Sequence, residues 1–417
     1  MEFKLETFSN PYLADGATRL DAVLTVTASG AGVGVGQGAV VGVIVDTSGS
    51  MEGERLMAAR LGTTKAIELV DESSSFFVVS FADVARVVVP VGPATPERKR
   101  TAATAVKGLK ANGGTQMSAG LRAALAEFKK VPDLIHKALF LTDGKNTEGD
   151  DALEKGIAAC EGAFQCDCRG VGTDWQPKQL RAIAGKLLGT VAIIPEPAGI
   201  EADFAGLVRA AIAQSVRDVR LRLWTPKAVK IVAVKQVSPE IAVLTDRAAT
   251  PEPQVRDYPT GAWGNEDRDY YVALELAAGD VGEEMLAARP SLAFTEGGQE
   301  HKVAGPPILA SWTEDEALSA RISREVAHYT GQAELAEAIQ EGLAAREAGD
   351  EDAATRLLGK AAKIAHDSGN EETTQRLKKV VEVVDAAEGT VRLKKSVQKA
   401  DEMDLDLGST RTRRVRS

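Results

Sequence analysis

Apolar and polar positions alternate along residues 3–28, first at Phe3, Leu5 and Thr7 and then at Leu20, Ala22, Leu24 and Val26, with the turn-forming pairs Asn10-Pro11 and Asp15-Gly16 between them. A period of two predicts two antiparallel strands. Gly30, Gly32, Gly34, Gly36 and Gly38 follow as a flexible hinge, and Val40 to Val45 is then apolar without interruption by charge, the pattern of a strand buried on both faces.

From about 38 to 217 short β-rich apolar runs alternate with longer helical ones. Strands are predicted at 40–45, 76–81, 86–91, 137–142, 165–171 and 190–194, and helices at 54–70, 96–109, 117–129, 151–161, 177–188 and 201–217. Pro96 marks one helix start, and Asp151 with Glu154 has capping-box spacing. This is the pattern of an α/β, doubly wound and mostly parallel sheet. The runs 76–81 and 86–91 lie too close for a crossover helix and predict a hairpin at the sheet edge.

Residues 218–311 return to a period of two, at Val219-Leu221-Leu223, Val229-Ile231-Ala233 and Tyr270-Val272-Leu274, between proline-rich turns. That texture predicts a β-sandwich. Strands in 1–30 would be an isolated hairpin alone, so they are expected to complete it, with the α/β unit (38–217) inserted in or followed by the sandwich. Thr313-Glu314-Asp315-Glu316 predicts a capping box opening a helical bundle over 313–388, divided at Gly331, Gly349-Asp350 and Gly369-Asn370 into about four helices. Residues 389–417 place acidic Asp401, Glu402, Asp404 and Asp406 before Arg411, Arg413, Arg414 and Arg416, and a disordered tail is expected there.

The chain has 417 residues, room for two to four domains, and 44% hydrophobic with 26% charged residues is the balance of a soluble globular protein. A net charge of −10 argues against nucleic acid and anionic membrane as partners. Cys160, Cys166 and Cys168 crowd into nine residues, show no disulfide framework and fit a reducing compartment as ordinary half-buried thiols; three thiolates on zinc is the weaker alternative. No export signal or membrane span is read, so a cytoplasmic location is expected.

Chemistry concentrates in Asp46-Thr47-Ser48-Gly49-Ser50-Met51, directly after the buried strand and before a helix, where open α/β sheets form their ligand crevice. Asp46, Ser48 and Ser50 offer oxygens at alternate positions, the donors a hard cation prefers, and Gly49 lets the loop fold back. Gly113-Gly114-Thr115 and Leu141-Thr142-Asp143-Gly144 are expected at the same sheet edge. The competing reading makes Asp46 and Asp143 helix caps and the serines turn residues.

Asp46, Ser48, Ser50, Thr115 and Asp143 resemble, at all five positions, the metal-ion-dependent adhesion site (MIDAS) of von Willebrand factor A domains, and the strand pattern over about 38–217 is similar to that family, in the manner of its bacterial intracellular members. The resemblance implies a Rossmann-like fold and Mg²⁺ or Mn²⁺ held by these five residues, directly or through water, with an Asp or Glu carboxylate of a protein partner completing the shell. Binding rather than catalysis is the expected output, with no catalytic residue assigned. An alternative is a non-ATPase subunit regulating a separate MoxR- or chelatase-like AAA+ ATPase, for which the absence of GxxxxGK[ST] is no obstacle. A metal-assisted hydrolase, with Thr142, Lys145 and Asn146 beside the site, lacks a marked acid or base.

Gly34-Val35-Gly36-Gln37-Gly38-Ala39 precedes a strand instead of following one, so dinucleotide binding is not expected. Thr410 and Thr412, beside arginines in the expected tail, are candidate phosphorylation sites for a Ser/Thr kinase and thereby for a forkhead-associated-domain partner. His136, His301, His328 and His366 have no paired spacing and are assigned structural roles.

Overall fold

The computed structural model describes residues 1–30, 38–296, 298–412 and 414; the central glycines of the expected hinge and most of the Gly34–Ala39 loop lie outside them. The chain forms two compact units, one of residues 1–30 with 217–417 and one of residues 31–216.

The first unit begins with β1 (Glu2–Ser9), β2 (Tyr12–Ala14) and β3 (Arg19–Ser29). β1 and β3 are antiparallel, with Phe3 opposite Ala28 and Leu5 opposite Val26.

The second unit is an α/β fold built on β4 (Ala39–Asp46), whose every residue is buried. Along the chain follow α1 (Glu54–Leu69), β5 (Ser75–Phe81), β6 (Ala85–Pro93), α2 (Pro96–Lys107), α3 (Met117–Phe128), β7 (Ile135–Thr142), α4 (Asp150–Cys160), β8 (Gln165–Val171), α5 (Pro177–Lys186), β9 (Val191–Ile194) and α6 (Ile200–Ile212). The sheet order is β6-β5-β4-β7-β8-β9, parallel except for the antiparallel edge pair β5/β6. Val41, Val43 and Val45 pack with Leu56, Ala59 and Ile67 of α1 and Phe204 and Val208 of α6 in one apolar layer. Because the chain leaves β4 for β5 on one side and reaches β7 on the other, the strand order reverses at β4, and a crevice opens at its carboxyl end. The Asp151/Glu154 capping box does not form. α4 starts one residue earlier, with Gly149 at its N-cap at a φ of 87° and no side-chain cap.

The first unit resumes with β10 (Val216–Trp224), β11 (Lys230–Ser238), β12 (Ala242–Val243), β13 (Val255–Trp263), β14 (Glu266–Glu275), β15 (Glu284–Glu296), β16 (Gln299–Ala304) and β17 (Ile308–Thr313). They form two sheets, β1-β3-β14-β11-β12 and β13-β10-β15-β17-β2, with β16 added to β15. The N-terminal segment thus supplies strands to both, and Phe3 of β1 meets Trp263 and Phe294 of the other sheet at ring separations of 5.7 and 4.9 Å. The alternation expected over Val229–Ala233 slips at a bulge between Ile231 and Ala233, which hands burial on to Val234 and Val237.

The helical region comprises α7 (Glu316–Ser319), α8 (Arg324–Glu347), α9 (Glu351–Asp367) and α10 (Glu371–Val380), then β18 (Val381–Asp385), β19 (Thr390–Leu393) and α11 (Lys399–Gly408). Asp350 and Asn370 cap α9 and α10 through the amides of Ala353 and Thr373, 3.0 and 3.1 Å away. Gly331 divides nothing, since α8 runs through it. The expected helix over Val381 and Val384 is instead a strand, as a β-branched run favours.

The expected disorder of 389–417 is corrected for the described residues, 389–412 and 414. β19 pairs with β18, and Leu405 of α11 is fully buried in one core with Leu335, Ile339, Leu358 and Leu377. The acidic run finds partners on other helices: Asp401 with Lys379 at 3.2 Å, Glu402 with Arg346 at 2.8 Å and Asp404 with Arg376 at 3.2 Å. Beyond α11, Thr412 N donates to Pro239 O (3.0 Å), and Arg414 pairs with Asp267 and Asp269 at 2.6 and 3.4 Å. The Thr410 hydroxyl lies 3.3 Å from Glu240 and that of Thr412 donates to Val237 O, so neither threonine sits on a loose tail as the phosphorylation reading supposed. Leu405→Ala should therefore destabilise the protein by about 2–5 kcal/mol in urea denaturation, the cost of a cavity in a packed core; a loose tail would show no change.

Candidate metal centre

Asp46 is the last residue of β4 and Thr142 the last of β7, and these strands run parallel with Val45 beside Leu141. The chain therefore delivers Asp46 and Asp143 to one end of adjacent strands. Asp46 is completely buried; its Oδ1 accepts from Ser48 N at 2.7 Å and its Oδ2 from the Thr142 hydroxyl. Ser48 Oγ lies 3.1 Å from Ser50 Oγ, which donates to Asp143 Oδ1 at 2.7 Å. An unbroken line of oxygens thus runs from one loop to the other.

Thr115 comes from the loop before α3. Gly113 holds a φ of 85°, a left-handed conformation glycine adopts without strain. It receives Gly49 N on its carbonyl at 2.9 Å, while Asn112 N donates to Thr47 O at 2.8 Å, so the two loops are laced together. Gly144 marks where they converge: a Cβ there would lie 3.1 Å from Thr115 Oγ1, 3.3 Å from Ser50 Oγ and 4.0 Å from Ser48 Oγ. The structure brings all five residues singled out in the sequence to one place. The capping alternative fails for α1 and α4, whose N-caps are Gly53 and Gly149.

Burial pushes the Asp46 carboxyl up to about 6, with the charge of Asp143 adding to the effect against hydrogen bonds from Thr142 and Ser48 that oppose it. A carboxylate held this way is short of positive charge. Two carboxylates and three neutral hydroxyls are hard oxygen donors, suited to Mg²⁺ or Mn²⁺ and poorly suited to soft metals. Among the described residues no group of three or more His, Cys, Asp or Glu gathers to make an alternative centre, and Cys160, Cys166 and Cys168 are free and fully buried, with burial raising the Cys160 thiol to about 11.

Sequence reasoning missed several residues that shape the site. Arg55 Nη1 reaches Asp143 Oδ2 at 2.6 Å, and its Nη2 reaches Asp174 at 3.2 Å. An arginine in the first turn of a helix opposes the helix dipole, which is the sequence signal that it needs carboxylate partners. Asp83 accepts from Gly114 N at 2.9 Å, and Thr147 accepts from Thr115 N at 3.0 Å. α3 has Gln116 at its N-cap with no side-chain bond; Glu148 and Asn146 from the loop after β7 take up the amides of Ser118 and Met117 at 2.7 and 3.3 Å. Of the residues flanking the site, Thr142 and Asn146 have these positioning contacts, and Lys145 is exposed.

Arg55→Ala leaves the fully buried Asp143 without its cation. Urea denaturation in the presence of chelator should show a loss of about 1–3 kcal/mol, a charge-assisted bond discounted for the partial exposure of Arg55. Arg55→Lys should recover part of it.

Residues 39–193 match the von Willebrand factor type A domain, and residues 363–409 match the von Willebrand factor type A C-terminal domain. A solved von Willebrand factor type A structure from Catenulispora acidiphila is 43% identical, covering 99% of this chain and 97% of that one with a TM-score of 0.95. The ArnB paralog VWA2 from Sulfolobus acidocaldarius shares the fold at 15% identity and a TM-score of 0.61 over 98% of both chains. An uncharacterized protein of Synechocystis sp. is 28% identical over 209 residues; the chain spans about half the length of this curated relative.

Proposed function

The chain belongs to the von Willebrand factor type A family, and we propose that it binds a protein partner through Mg²⁺ or Mn²⁺ held by Asp46, Ser48, Ser50, Thr115 and Asp143. Domains of this family commonly mediate protein–protein interaction. The observation that carries the reading is the meeting of three hydroxyls around Gly144 beside two buried carboxylates, one of them without a cationic partner among the described residues.

The cation would supply concentrated positive charge at the end of β4 and an affinity for one more anionic oxygen. Asp46 and Asp143 contribute the negative charge, and the hydroxyls fill positions without neutralising the metal further, so a carboxylate from an Asp or Glu of the partner is attracted. Thr142 and Ser48 N orient Asp46, while Ser50 and Arg55 orient Asp143. Ser50 and Gly113 are exposed, which leaves the site open to a protein surface. We read the output as binding without turnover, and the two-sheet unit as a β-sandwich that carries the α/β unit as an insertion.

Calorimetric titration of Mg²⁺ and Mn²⁺ into metal-stripped protein tests the reading. Wild type should bind and gain about 2.7 kcal/mol of stability at a hundredfold excess over Kd, and Asp46→Ala should do neither. Unchanged melting of wild type at millimolar Mg²⁺ and Mn²⁺, together with a partner that survives chelator, overturns it.

A further inference from the structure

The second sheet of the first unit carries a feature that the metal centre does not use. β15 changes neighbours along its length: residues 284–288 pair with β17, and residues 291–296 pair with β16. The change falls at Arg289-Pro290, and Gly305-Pro306-Pro307 bridges from β16 to β17 across the gap. Pro290 has no amide to donate and holds the bridge only by its carbonyl, which accepts from Gly305 N at 3.0 Å. Where the strands part, a cavity of about 700 Å³ opens, with Trp224, Leu286 and Leu309 in its wall and Arg289 and Lys302 beside them.

The charges here are unequal in their commitments. Arg222, also in the wall, is bound to Asp257 at 2.7 Å and to Glu300 at 3.1 Å, and Arg220 shares both carboxylates. Arg289 and Lys302 are exposed and make no ion pair among the described residues; Arg289 only lies over the Trp224 ring, 5.7 Å from its centroid. In a chain of net charge −10, two cations without an ion pair flank one half-buried tryptophan, and among the described residues Glu252 is the only acidic one in the wall.

We propose that this cavity is a second binding site, and that it takes an acidic peptide segment of a protein partner, with an apolar side chain packed between Trp224 and Leu286 and carboxylates paired with Arg289 and Lys302. The cations supply the charge complementarity that selects carboxylates, and the tryptophan supplies apolar area at little entropic cost. The exposure of Arg289, Lys302 and Pro307 makes the cavity an open cleft. A small carboxylate would leave most of its surface in water there, whereas an extended segment continues over the rim.

Trp175, Trp263 and Trp312 are buried, so change in the accessibility of tryptophan reports on Trp224. The full chain, in chelator, is titrated with a blocked hexapeptide alternating glutamate with phenylalanine and leucine. Iodide quenching and calorimetry follow binding, and the probes for comparison are the same peptide with glutamine for glutamate and free phenylacetate. Saturable binding that protects the fluorescence from iodide is expected, absent with the glutamine peptide, and weakened about tenfold or more by Lys302→Glu with Arg289→Glu. Lys302→Glu alone, at an exposed strand position, should weaken it severalfold if the double variant is unstable. Lack of saturable binding, equal binding of the glutamine peptide, retention of affinity in the charge-reversed protein, or binding of phenylacetate as tight as the peptide's would each overturn the proposal.

Discussion

A carboxylate buried at the end of a buried strand, with no cation against it among the described residues, is the constraint on which the candidate site depends. Asp46 lies at the carboxyl end of β4, where every residue is shut off from water. Its charge is tolerated because Ser48 N and the Thr142 hydroxyl point at it, and those donors exist only because the chain turns back sharply after β4 and β7 ends alongside. Burying charge in this way costs stability unless it is compensated, and the raised proton affinity of Asp46 records that cost.

Asp143 meets the same problem differently. It is as buried as Asp46, but Arg55 from the first turn of α1 provides a fixed positive charge, anchored in turn by Asp174. The two carboxylates are therefore not equivalent: one is held by a permanent cation and the other by dipoles alone. Asp46 therefore has the greater need of added positive charge, and Asp143 is the carboxylate whose orientation is already fixed by an ion pair. Backbone hydrogen bonds from Gly49 N to Gly113 O, from Asn112 N to Thr47 O and from Thr147 N to Thr115 O tie the three loops together around these carboxylates.

Charge compensation at a distance also organises the end of the chain. A run of four acidic residues reads locally as solvated and self-repelling, yet on α11 three of them reach Lys379, Arg346 and Arg376, while Met403, Leu405 and Leu407 turn inward. The net charge of that stretch was a poor guide because its partners lie on α8 and α10. The β-branched run at 380–384 misled in another way: its apolar spacing suits a helix, but its side chains favour a strand.

What the amino-acid order determined by itself was local and periodic. The alternation of β and α elements, the bounds of β4, β7 and β8 to within two residues, the helix divisions at Gly349-Asp350 and Gly369-Asn370, and the oxygen donors Asp46, Ser48 and Ser50 after a buried strand are legible because each rests on a repeat or on spacing within a few residues of an element's end. The grouping of those three with Thr115 and Asp143 comes from the resemblance to a known motif. Tertiary structure decided what depends on partners far along the chain: that residues 1–30, expected to join the later strands, do so on β14 and β17, that Arg55 guards Asp143, that Glu148 caps α3 from another loop, and that the acidic end is a docked helix. The physical reason is that burial and ion pairing are properties of a neighbourhood, and a neighbourhood assembled from residues hundreds of positions apart leaves no period in the sequence.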